Sequence, residues 1–179
     1  QIASTYNPET AEEVKPVLHL SKDKQNVVLF MLDRCESAYF SSVLQEDPSL
    51  KDIFTGFTYY PNTISYGGHT IIGAPPLFGG YEYTPEEFNK RSDVSKLTKN
   101  NEALKVLPEI FGGQLDYNVT VADTSWANYQ WIPDMSIFSG MKNVTPLSLE
   151  HTYTGLWMDL NKDKVKPNLV SSSIKRNML

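Results

Sequence analysis

Asn26-Val27-Val28-Leu29-Phe30-Met31-Leu32-Asp33 is the stretch on which the reading of this chain turns. An unbroken apolar run, rich in β-branched and aromatic side chains and closed by a carboxylate, predicts a strand buried on both faces, as parallel sheets contain. Val27–Leu32 is also the longest uninterrupted apolar run in the chain, and it is far too short to cross a bilayer. Before it, residues 1–24 are polar, with Pro8, Pro16 and mixed charges, and read as a linker or loose arm. Residues 25–179 then form the body of one domain, or part of a larger one.

Downstream, residues 36–46 carry one apolar face (Ala38, Tyr39, Val43, Leu44) and predict a helix that Asp47-Pro48 stops. Phe54–Tyr60 alternates loosely and predicts a second strand, closed by Pro61. Ser65–Gly80 is dense in glycine and proline and predicts a tightly shaped loop holding a short helix. Thr84 before Pro85-Glu86-Glu87 marks another helix start. Leu104, Leu107 and Phe111 fall at helical spacing over residues 101–111, with Pro108 as a kink and Gly112-Gly113 as the end. Tyr117–Ala122 predicts a third, buried strand, again followed by an acid, Asp123. Beyond residue 124 no sustained period remains, and no internal repeat is visible. Strand–helix–strand–helix–strand predicts an α/β fold, a mostly parallel sheet flanked by helices.

The 179 residues are 40% hydrophobic and 21% charged, which excludes a wholly disordered chain. Sixteen Lys and Arg against 21 Asp and Glu leave a net charge of −5. A nucleic-acid partner, or an anionic lipid surface held by charge alone, needs clustered positive charge and is disfavoured. The single cysteine, Cys35, forbids an intrachain disulfide. The chain opens on Gln1 and stops at Leu179 directly after a polar run, so it reads as an excised piece of a longer protein.

Ligands of open α/β sheets collect at the carboxyl ends of the strands, where Asp33 and Asp123 fall. Asp33 has two readings: a hard oxygen ligand for a divalent cation, or a cap on the following helix. Thr70 lies in Gly67-Gly68-His69-Thr70 at a predicted helix start. There, backbone N–H groups and the helix dipole favour a phosphate or sulfate beside a nucleophilic hydroxyl; a plain N-cap is the other reading. Ser65 is the competing hydroxyl, and His69 is base, ligand or packed turn residue. Asp123-Thr124-Ser125-Trp126 either faces the same pocket as Asp33 or caps a helix. Trp126, Tyr129 and Trp131 either line a groove for sugars or head groups or belong to the core. Asn118-Val119-Thr120 and Asn143-Val144-Thr145 fit the glycosylation sequon, which also arises by chance. Asp159–Asp163 begins like a calcium loop, but Lys164 and Val170 stand where it needs Gly and Glu.

Two segments together resemble the alkaline phosphatase and sulfatase superfamily. They are most similar to its membrane-anchored branch of lipoteichoic acid synthases and phosphoethanolamine transferases. The segments are Asn26–Asp33 and Asn62-Thr63-Ile64-Ser65-Tyr66-Gly67-Gly68-His69-Thr70, followed by the Pro-containing Ile71–Phe78. Phe57–Thr63 (Phe-Thr-Tyr-Tyr-Pro-Asn-Thr) is similar to a segment of bacterial surface proteins of that branch, and Asn101–Ala122 to the family's next helix, glycine turn and strand. The resemblance spans about residues 25–123. It implies an alkaline phosphatase-like fold, represented here by an incomplete N-terminal portion. It implies Thr70 as nucleophile with His69 beside it, and Asp33 and Thr70 as ligands of a divalent metal ion (Zn, Mn, Mg or Ca). The implied activity is a phospho- or sulfo-ester hydrolase or transferase acting on a lipid head group or cell-surface polymer. The implied place is the extracytoplasmic face of a bacterial membrane, anchored through segments outside this chain. A non-catalytic surface or interaction module that keeps the fold is the alternative.

The pattern is departed from in three places. The family's completing Asp-His pair has no counterpart, since His19, His69 and His151 follow Leu18, Gly68 and Glu150. Cys35-Glu36-Ser37-Ala38-Tyr39 lacks the Pro and Arg of the formylglycine motif of sulfatases. His69 next to the nucleophile is unusual for the transferases.

Overall fold

The computed structural model describes residues 18–32 and 37–149. Two regions follow one another along the chain, the first open and the second with a buried core. Residues 18–32 run extended, and α1 (Ser37–Glu46) and α2 (Leu50–Ile53) follow. α1 ends where Asp47-Pro48 was expected to stop it. Phe40 on α1 meets Phe54 at 5.4 Å and Tyr59 at 5.0 Å between ring centroids, and Phe54 meets Phe57 at 5.7 Å. These rings share a small aromatic cluster, yet no described residue from 18 to 60 is buried.

The second body begins at α3 (Thr70–Gly79), which carries Pro75 and Pro76 on its buried side. α4 (Pro85–Lys90) starts after Thr84, as the Pro-Glu-Glu signal predicts. α5 (Lys96–Pro108) is capped by Ser95, whose Oγ accepts the Thr98 N–H at 3.0 Å. Lys99 of α5 is buried; its Nζ donates to the Phe88 and Arg91 carbonyls at 2.6 and 3.0 Å, satisfying the end of α4. α3 packs against α5, and Gly79 permits it: a Cβ there would meet the Ala103 Cα at 3.0 Å.

Pro108 changes the helix rather than kinking it. Lacking an N–H, proline weakens the α ladder, and the chain widens into a π turn over Glu109–Gln114 that contains Gly112 and Gly113. Those glycines therefore lie inside the turn and not after a helix end. Gly112 is needed because the Lys142 carbonyl would lie 2.6 Å from any Cβ placed there.

β1 (Val119–Ala122) and β2 (Val144–Leu147) pair in parallel, Val119 beside Val144 through Ala122 beside Leu147. The crossover between them contains 3₁₀ turns at Ala127–Tyr129 and Met135–Phe138. The core joins both layers: Ala74, Leu104, Ala127, Met135 and Phe138 are buried together, with Phe78, Val121 and Val144 packed against them. The fold is thus mixed α/β, helices about a small parallel sheet. No helix among the described residues is long and apolar enough to cross a membrane.

Two predicted strands do not form. Asn26–Leu32 is extended and pairs with no strand among the described residues, and Phe54–Tyr60 is a turn followed by exposed chain. Phe30 and Leu32 are 76% and 67% exposed, the reverse of a strand buried on both faces. Composition records the wish to be covered; a strand exists only where another strand supplies its hydrogen bonds. Met31 alone of this run packs on the core. Conversely, β2 carries no legible strand signal, because Pro146 interrupts it. The third predicted strand forms, but shorter than Tyr117–Ala122 and only half-buried.

Candidate functional site

Two places carry chemistry-bearing side chains. The first is the turn into α3. His69, extended at φ −137°, occupies the N-cap position, and its carbonyl accepts the N–H groups of Ile72 and Gly73 at 2.9 and 3.0 Å. Thr70 is the first residue inside the helix, so it is not the N-cap itself, and the plain capping reading is corrected on that point. Thr70 is half-buried, whereas His69 is exposed. Ser65 belongs to the same turn: its Oγ accepts the Gly67 N–H at 3.3 Å and lies 2.7 Å from where a Cβ on Gly73 would stand. Gly67 is pressed against Ile72, so a side chain at that glycine would displace the first turn of α3. Ser65, His69 and Thr70 therefore sit together around a turn that glycine makes possible.

Asp33, Cys35 and His151, and the calcium-like Asp159–Asp163, lie outside the described residues. Among the described residues, no three His, Cys, Asp or Glu side chains converge to hold a metal ion.

The second place is a cleft of about 440 Å³ at the carboxyl ends of β1 and β2, lined by Asp123, Ser125, Trp126, Trp131, Ile132 and Pro133 among others. It stands where open parallel sheets bind ligands. Asp123 turns left-handed at φ +42° as β1 ends, its N–H reaching the Leu147 carbonyl at 3.2 Å. Its Oδ2 accepts the Leu149 N–H at 3.0 Å, clamping the two strand ends. The capping alternative for Asp123 is thus replaced by a strand-end clamp. Trp126 and Trp131 meet edge to face, centroids 5.8 Å apart and planes at 78°. Trp131 is 80% exposed, so it is not core. Tyr129 touches Trp126 at 6.4 Å but does not line the cleft. Neither His69 nor Thr70 lines it.

The loop carrying this corner is held under backbone strain. Trp126, Asn128 and Tyr129 all have positive φ (+64°, +56° and +58°), a conformation L-residues adopt only when surroundings enforce it. Enforcement comes from α5. Asn100, fully buried, donates from Nδ2 to the Trp126 carbonyl at 3.0 Å. Asn101 Oδ1 accepts the Asn128 N–H at 3.0 Å, and Asn128 Nδ2 donates to Asp134 Oδ2 at 2.9 Å. The Ser136 hydroxyl and N–H, then Asn128, hold the Asp134 carboxyl below its ordinary value. Asn100, Asn101, Asn128 and Asp134 escape a sequence reading because the α5 amides lie 27 and 28 residues from Asn128 and form no local pattern with it.

Compared with protein-family models, curated proteins and solved structures, the chain matches none.

Proposed function

We propose that this chain carries the nucleophile-bearing part of a phospho- or sulfo-ester hydrolase or transferase of alkaline phosphatase and sulfatase type. Its substrate is a lipid head group or cell-surface polymer at the extracytoplasmic face of a bacterial membrane. One observation carries the reading: Thr70 is a half-buried hydroxyl at the first residue of α3, directly after the Gly67-Gly68 turn and His69. A helix start places N–H groups and positive dipole where an incoming tetrahedral anion would lie.

In the proposed reaction the Thr70 Oγ1 attacks phosphorus or sulfur in line, and the bond to the leaving alkoxide breaks. The hydroxyl proton passes to His69, which returns it to the leaving oxygen. Water or an acceptor hydroxyl then attacks the Thr70 ester and frees the threonine. The divalent cation implied by the resemblance, with Asp33 and Thr70 as ligands, needs further donors than the described residues bring together. Metal analysis of the intact protein tests it.

In the intact protein, T70A is expected to abolish turnover of a phosphate or sulfate ester, a loss of about 1,000-fold or more. A phosphate- or sulfate-loaded Thr70 should be trapped by mass spectrometry in the parent and be absent from T70A. Undiminished turnover by T70A overturns the reading. A second reading, a non-catalytic binding module, is favoured by the exposed Trp131 at the strand-end cleft, and it predicts no effect of T70A on any function.

A further inference from the structure

We propose that the cleft at the carboxyl ends of β1 and β2 binds a quaternary ammonium group, with Trp126 and Trp131 as its walls and Asp123 as its counter-charge. The site is separate from the α3 turn, so it stands or falls independently of Thr70.

Ring geometry comes first. Two indoles 5.8 Å apart and at 78° form a corner, not a stack. A cation seated in that corner lies within the roughly 6 Å over which an aromatic face attracts positive charge, and tryptophan is the strongest such face. Trp131 is 80% exposed, so most of its ring is open to a ligand entering the cleft.

Charge is the second argument. Among the described residues, Asp123 is the one ionisable side chain lining the cleft. A phosphate or sulfate entering it would meet the Asp123 carboxylate, which disfavours anionic ligands. The polar lining side chains are otherwise Ser125 and the indole N–H groups, with Ile132 and Pro133 apolar. A sugar brings a ring of hydroxyls that this sparse polar set would leave largely unmatched. A quaternary ammonium group has no hydrogen to donate and asks only for negative charge and π faces, which this lining supplies. At about 440 Å³ the cleft has room for the group and the chain that bears it.

Rigidity is the third. The left-handed Trp126 and Asn128 are held at their backbone by Asn100 and Asn101 on α5, so the Trp126 wall of the corner is set before the ligand arrives. Pre-organisation of this kind spares a ligand the cost of ordering the loop.

The test titrates the full 179-residue chain with choline, with its neutral carbon isostere 3,3-dimethylbutan-1-ol, and with methyl glucoside, read by tryptophan fluorescence and calorimetry. Choline is expected to saturate and to bind about tenfold or more tighter than the isostere. W131L should weaken choline about tenfold while W131F stays within about threefold, since phenylalanine keeps a π face. D123N should weaken choline about fivefold; the amide oxygen still accepts the Leu149 N–H, so the strand clamp survives. Equal affinity for choline and the isostere overturns the proposal, as does unchanged binding by W131L. Saturation by methyl glucoside without choline makes the cleft a carbohydrate site. Absence of choline saturation by about 50 mM ends the proposal outright.

Discussion

Residues 18–60 and residues 70–149 are both rich in apolar and aromatic side chains, yet they end in opposite conditions. The earlier region buries nothing completely among its described residues, and its runs Val27–Leu32 and Phe54–Tyr60 lie mostly open to water, Met31 excepted. The later one buries Phe138, Leu104 and Ala74 completely. The difference is one of partners. In the later region α3, α5 and the β1–β2 pair present faces to one another. In the earlier one, Phe40, Phe54, Phe57 and Tyr59 meet ring against ring beside Leu44, over an open hollow that Phe30 and Leu32 also line. Hydrophobic stabilisation scales with area removed from water, so equal composition yields unequal cohesion.

The largest test of this contrast is a pair of phenylalanines. F138A removes a ring that is fully buried and should destabilise the later body by about 4 kcal/mol, read as a fall in the urea unfolding midpoint. F30A removes a ring that is 76% exposed and should change the unfolding free energy by about 0.5 kcal/mol or less, leaving that midpoint nearly in place. Comparable losses would break the comparison and show that Phe30 is covered in solution.

The helices were the legible part of this fold, because their signals are local. Asp47-Pro48 ends α1, Thr84-Pro85 begins α4, and the Leu104 register fixes the buried side of α5. Strands were not legible to the same degree. The most apolar run formed none, while Val144–Leu147, containing a proline, did, because pairing joins segments 25 residues apart. Of the candidate sites, His69 and Thr70 were found at the foot of α3 from the glycines alone, though one position inward from a cap. Asp123 was found from its place after a strand; of Trp126, Tyr129 and Trp131, read as groove or core, Trp131 is too exposed to be core, Trp126 is half-buried and Tyr129 stands off the cleft. The amide network beneath them was invisible, since it links α5 to a loop across the fold. Asp33 was the strongest inference from the opening run, and it lies outside the described residues.

A smaller effect sharpens the same contrast at helix starts. Ser95 accepts the Thr98 N–H at the head of α5, so S95A should cost about 1 kcal/mol in unfolding free energy. Ser49 precedes α2 without capping it; its hydroxyl donates to Asp47 Oδ1 at 2.5 Å instead. S49A should therefore move the global transition by about 0.5 kcal/mol or less. A loss on S49A matching that on S95A would mean that α2 is coupled to the main body and that the two regions unfold as one.

The subtlest effect is one of acidity, and it belongs to the later region's loop. Asp134 has its carboxyl lowered by Ser136 and Asn128, so the folded state holds the carboxylate more firmly than the unfolded chain does. The sign follows directly. Its contribution is fully present above the ordinary carboxylate range, and it is lost as pH falls through that range toward the lowered folded value. Protonation weakens the acceptor for Asn128, which in turn steadies the left-handed stretch behind Trp126. The Trp126 and Trp131 indole N–H signals in an NMR titration should shift as the solution is acidified through this window, ahead of global unfolding. D134N, which keeps an acceptor oxygen but cannot ionise, should remove that shift. An unaltered indole titration in D134N would show that the tryptophan corner is steadied from α5 alone, through Asn100 and Asn101, with Asp134 holding only its own 3₁₀ turn.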